Sequence, residues 1–125
     1  MPPDTDNGQV PVLNPADAEA WIRQVSNRIA KGVKVVTDAE AEMKAKKRAY
    51  DLAFAHAYKR AEGSEQFRKQ HATIEAMPHR EEADNAEIAY RYAQRTAEAL
   101  ERELFAAMAI NRNIVSMYGA AGVGA

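Results

Sequence analysis

The chain has 125 residues, no cysteine, 46% apolar side chains with only 7% aromatic, and a formal net charge of −1. That length suits one domain, and the missing cysteines exclude disulfides and thiolate metal sites. Much of the apolar fraction is alanine, which favours helix and buries little surface, so the composition predicts good helices around a thin core. Such a chain gains stability by burying a helix face against a second copy, so a homo-oligomer is expected. Met1-Pro2-Pro3-Asp4 has neither the basic nor the apolar region of a secretory signal. No apolar run approaches the roughly 20 residues that cross a bilayer. The expectation is a cytoplasmic protein without a membrane partner.

Residues 1–13 contain Pro2, Pro3, Gly8 and Pro11 with few large apolar groups, and read as a flexible arm. Asn14-Pro15 is a helix start, with Asn as N-cap and Pro at the first helical position. Asp17 and Glu19 suit the positive end of that helix, and Trp21, Val25, Arg28 and Ile29 follow at helical spacing. Gly32, the β-branched Val33, Val35 and Val36, and a Thr37-x-x-Glu40 capping box then predict a break around 31–37. The first helix is therefore expected at about 15–31.

A second helix is expected at 38–62. Val36, Met43, Tyr50 and Ala57 lie seven apart, interleaved with Lys47, Phe54 and Ala61, which is a heptad-like seam. Gly63 is suited to ending it. Residues 63–78 read as a bend closed by Pro78, and Ser64-Glu65-Gln66-Phe67 can start a short helix within it. The last helix is expected at 79–118, with Glu81, Glu82, Asp84 and Glu87 crowding its first turns. Its stripe is Ala86, Tyr90, Ala93, Ala97, Leu100, Leu104, Ala107, Ile110, Ile114 and Met117, in steps of three and four. Residues 119–125 read as a flexible tail. The fold class is all-α: a long antiparallel helical hairpin with an extra N-terminal helix over 14–118. It is expected to self-associate through Leu100, Leu104, Ile110, Ile114 and Met117.

Catalytic chemistry finds no support in the residues. His71, Glu75 and His79 are spaced four apart, but Pro78 interrupts them and no fourth metal ligand is in view. The acidic group at 81–87 reads as a solvated, dipole-matched helix start rather than a magnesium site. Gly119 to Gly122 follows a helix and precedes none, so it lacks the context of a phosphate loop. No base lies near Ser26, Ser64 or Ser116 in sequence. A non-enzymatic protein without metal or cofactor is expected.

The strongest chemical feature is positive charge. Residues 1–30 sum to −2, residues 31–70 to +4 and residues 71–125 to −3. The basic run is Lys44, Lys46, Lys47 and Arg48, continued by Lys59, Arg60, Arg68 and Lys69. Tyr50, Phe54, Tyr58 and Phe67 are interleaved. Single-stranded nucleic acid is bound by this pairing, because cations hold phosphates and aromatic faces stack bases. The competing reading makes the lysines solvated flanks of the seam, with Tyr50 and Phe54 in the core.

Lys46-Lys47-Arg48-Ala49-Tyr50, then Tyr58-Lys59-Arg60 to Gly63 and Phe67-Arg68, resembles the small recombination mediator proteins of phages, the UvsY type. The likeness covers Ala45 to Gly119, with a weaker second match at Arg112-Asn113-Ile114 and Met117. It implies a ring-forming oligomer that binds single-stranded DNA in the host cytoplasm. Such a protein helps load a RecA-type recombinase onto DNA covered by single-strand-binding protein. Lys46, Lys47, Arg48, Lys59 and Arg60 fall where that family places its DNA-binding cations, and the C-terminal helix would drive assembly. The alternative expectation is a phage assembly or interaction module whose hairpin docks a partner protein without binding nucleic acid.

Overall fold

The computed structural model describes residues 14–119. They form two helices, α1 (Pro15–Arg60) and α2 (Glu65–Tyr118), packed as an all-α hairpin. The arm expected at 1–13 and residues 120–125 of the tail lie outside the described residues.

Each helix begins on a side-chain cap. Asn14 Oδ1 accepts the backbone N–H of Asp17 at 3.0 Å, and Ser64 Oγ accepts that of Phe67 at 3.2 Å. Both satisfy donors that a helix start leaves unpaired. Between the helices, Gly63 has φ +119°, a region that side chains with a Cβ rarely enter. A Cβ there would also sit 3.3 Å from Phe67 Cδ1.

Two expected boundaries are overturned. The break at 31–37, which separated an extra N-terminal helix from the helix at 38–62, does not occur: α1 runs unbroken from Pro15 to Arg60. Gly32 and Val36 are half-buried and continue the heptads of Val25 and Ile29, seven residues earlier. Staying in phase with that seam outweighs the local cost of a helical glycine, about 1 kcal/mol. The capping box goes unused, and Glu40 instead accepts a hydrogen bond from the Tyr90 hydroxyl at 2.9 Å.

The bend expected at 63–78 shrinks to residues 61–64. α2 starts at Glu65, so Ser64 caps a helix of 54 residues and not a short one. Pro78 sits inside α2. It removes one ladder hydrogen bond, at a cost of about 3 kcal/mol. The buried Ala76 and Ala83 on either side remain seven residues apart, so the seam passes through undisturbed.

The chain divides into two compact units. Of the described residues, unit 1 takes 14–33 and 96–119. Its described core is Trp21, Val25 and Ala107, with Ile22, Ile29 and Leu104 packed against them. The Trp21 indole N–H donates to Glu103 Oε1 at 3.2 Å, and Arg28 reaches the other carboxylate oxygen at 3.6 Å. Unit 2 takes residues 34–95. Its buried side chains are Met43 and Ala57 of α1 and Ala72, Ala76, Ala83 and Ala93 of α2. Alanines dominate the unit 2 list, so little apolar surface leaves water there, whereas the large apolar side chains gather around Trp21 in unit 1.

Candidate nucleic-acid interface

All eight cations of the basic set lie in unit 2, where two antiparallel helix segments are cross-linked by charge. The contacts lie at two levels, one near the turn and one around Lys46 and Lys47. Arg60 Nη2 reaches Glu75 at 2.9 Å, Lys46 Nζ reaches Glu82 at 3.4 Å, and Lys47 Nζ reaches Glu87 at 3.2 Å. Lys46 also lies 3.8 Å from Glu42, and Lys44 lies 3.9 Å from Glu40 one turn back. Lys69 pairs with Glu65 at 3.3 Å. The hydrogen bond from Lys47, then its charge, then that of Arg91 hold the Glu87 carboxyl below the ordinary carboxylate range.

Acidic residues therefore share the site with the basic run. The group read from sequence as a dipole-matched helix start, Glu81 to Glu87, lies in the interior of α2. Two of its members, Glu82 and Glu87, face the lysines of α1. Over residues 34–95 there are twelve basic and eleven acidic side chains, so the excess seen at 31–70 is nearly balanced once the chain folds. These pairs are solvent-exposed, and exposed pairs are weak and screened by salt. A phosphate can compete for the same ammonium groups.

Two cations stand apart. Arg48 and Lys59 are exposed and make no ion pair among the described residues. Arg68 is engaged differently. Its Nε and Nη2 donate to the Tyr58 carbonyl at 3.3 and 3.1 Å, and its guanidinium lies 4.3 Å from the centre of the Tyr58 ring. This clamp ties the start of α2 to the end of α1 and fixes the Tyr58 ring. Tyr50 and Phe54 are half-buried, with ring centres 6.2 Å apart, while Phe67 stacks on His71 outside the core.

Tyr58 also lines an open slot of about 390 Å³ together with Phe54, Ala55, Lys59 and Lys69. The sequence spacing shows Tyr58 and Lys59 as neighbours. It does not show Lys69 arriving from α2 to close the other side, because that depends on where the turn falls. His71, Glu75 and His79 do not converge as ligands. Glu75 is shared between Arg60 and His71, and no metal-competent group of carboxylates and imidazoles exists among the described residues.

The residues expected to drive assembly separate into two sets. Leu100 is buried within the chain, and Leu104 packs on the Trp21 cluster of unit 1. They are corrected to core residues, because both continue the seam register of Ala93 and Ala97. Ile114 is half-buried, while Ile110 and Met117 are 38% and 67% exposed. Apart from Met117, the most exposed apolar groups of α2 among the described residues, Ile74, Ile88, Tyr92 and Phe105, lie outside the expected assembly stripe. No described helix is long and apolar enough to cross a membrane. The chain matches no protein-family model, no curated protein and no solved structure.

Proposed function

We propose that the protein is a non-enzymatic, self-associating single-stranded DNA-binding protein of phage recombination or replication. In this role it is a mediator that helps load a RecA-type recombinase onto DNA covered by single-strand-binding protein. The observation that carries the binding reading is the pair Arg48 and Lys59. Both are exposed cations that no carboxylate neutralises among the described residues, and Lys59 adjoins the aromatic Phe54 and Tyr58. Phosphate contact by several subunits at once lets individually weak sites add up. The recombinase and single-strand-binding protein enter through the resemblance to UvsY-type mediators.

Charge reversal tests the reading best where no intrachain pair is broken, so Arg48→Glu and Lys59→Glu are the informative variants. The double variant is expected to lose binding of labelled single strands at low salt while keeping its helicity and oligomer mass. Unchanged binding by a folded double variant refutes the assignment.

A second reading, a helical assembly or interaction module without nucleic-acid binding, is favoured by the outer face of α2. There Ile74, Ile88, Tyr92 and Phe105 are each more than 60% exposed, on a chain whose own core is mostly alanine. Apolar side chains left this exposed can be covered by a partner helix. Light scattering with and without an oligonucleotide separates the two readings. Assembly indifferent to DNA, with no DNA in the complex, selects the module.

A further inference from the structure

The slot at the turn end of unit 2 has the chemistry of a stacking site. Phe54, Ala55, Tyr58 and Lys59 come from the last turns of α1, and Lys69 from the first turns of α2. Its walls are hydrocarbon and aromatic, and Lys59 and Lys69 are among the residues that line it. At about 390 Å³ it lies at the small end of the roughly 300–1,000 Å³ of ligand sites. A base has the flat shape that fits against aromatic walls, and a strand carries phosphates on both sides of each base. The Tyr58 ring is held by the Arg68 guanidinium, so little ordering is needed when a base arrives.

We propose that this slot takes one unstacked nucleobase of a single strand, with the flanking phosphates on Lys59 and Lys69. The inference rests on the single-strand reading above and adds to it the place where a base is held. Lys59 is available, since it has no carboxylate partner among the described residues. Lys69 exchanges its exposed partner Glu65, at 3.3 Å, for a phosphate. The walls offer no donor or acceptor positioned to read a base edge, so recognition is indifferent to sequence. A duplex is disfavoured because its bases are already stacked and paired. The neighbouring cleft of Lys69, Gln70, Thr73 and Ile74 has no aromatic wall and offers no stacking surface.

The test compares a short labelled oligothymidylate with an abasic strand of equal length, on the full chain and on Ala55→Gln. Ala55 is exposed, and glutamine is a good helix former, so the variant fills the slot without disturbing α1. Wild type is expected to bind the base-bearing strand about tenfold tighter, about 1.4 kcal/mol. Ala55→Gln is expected to erase that difference while binding the abasic strand as before. Irradiation of a 5-iodouracil strand is expected to cross-link Phe54 or Tyr58. Equal wild-type affinity for the two strands, equal loss on both in the variant, or cross-links only at other residues overturns the slot and leaves phosphate binding standing. If neither strand binds at low salt, the single-strand reading fails and the slot fails with it.

Discussion

Replacing Glu82 and Glu87 by glutamine should strengthen binding to single-stranded DNA, although neither residue is itself expected to touch it. Each carboxylate neutralises a lysine of the basic run. Glu82 lies 3.4 Å from Lys46 and Glu87 lies 3.2 Å from Lys47. The lysine side chains are 37% and 50% exposed, so they are within reach of a strand once released. The helices lose little, since exposed ion pairs contribute weakly; the melting midpoint should move by on the order of a few degrees. The binding effect is larger and has a distinct signature. Each phosphate contact on a single strand adds about 0.7 to the magnitude of the slope of log affinity against log salt. Two released lysines should steepen the slope by up to about 1.4, Lys46 keeping Glu42 at 3.8 Å, and add up to about sevenfold to the gain in affinity between 200 and 50 mM salt. Fluorescence anisotropy with a labelled oligonucleotide over a salt series measures the slope, and circular dichroism with light scattering reports fold and assembly. A folded, normally assembled double variant with an unchanged slope would show that Lys46 and Lys47 are structural cross-links only.

Gly63 in the turn and Gly32 inside α1 should respond in opposite ways. Gly63→Ala, at φ +119° and with its Cβ 3.3 Å from Phe67, should destabilise by about 1–2 kcal/mol, whereas Gly32→Ala meets nothing within 4 Å and should stabilise by about 0.5–1 kcal/mol in thermal melts. Trp21→Ala should cost about 3–5 kcal/mol by emptying the Trp21–Val25–Ala107 cluster, while Trp21→Phe should lose mainly the bond to Glu103; denaturant titration followed by circular dichroism distinguishes them, and equal losses refute that account of the cluster. Because the folded Glu87 carboxyl is depressed by Lys47, its contribution is present above the ordinary carboxylate value of about 4.3 and is lost as pH falls below it. Glu87→Gln should therefore reduce the acid sensitivity of the melting midpoint. At the other extreme, the bond to Glu40 raises the Tyr90 phenol, so its contribution holds below the ordinary value of about 10 and is lost above it; Tyr90→Phe should flatten the alkaline limb.

Periodicity made the seam legible, while continuity was not. Val36, Met43, Tyr50 and Ala57 turn inward at their expected heptad spacing, as do Ala93, Leu100 and Ala107 on α2. Gly32, the Thr37–Glu40 box and Pro78 each argue for a boundary, yet each carries only about 1–3 kcal/mol of local preference. Two phased seams override them, and a local motif holds no information about the partner that does so. The position of the turn also decides what faces the basic run. With a bend at 63–78, Glu82 and Glu87 belong to a helix start and the lysines stand alone. With a turn at 61–64, the same carboxylates lie across the seam from Lys46 and Lys47. The +4 excess at 31–70 is thus a property of the segment, not of the folded surface. Within the basic set, the charge that remains available is local: Arg48 on one turn of α1, and Lys59 three turns later beside Phe54 and Tyr58. On the proposed single-strand reading, two such positions hold a strand weakly in one subunit, so that reading requires several subunits to bind at once.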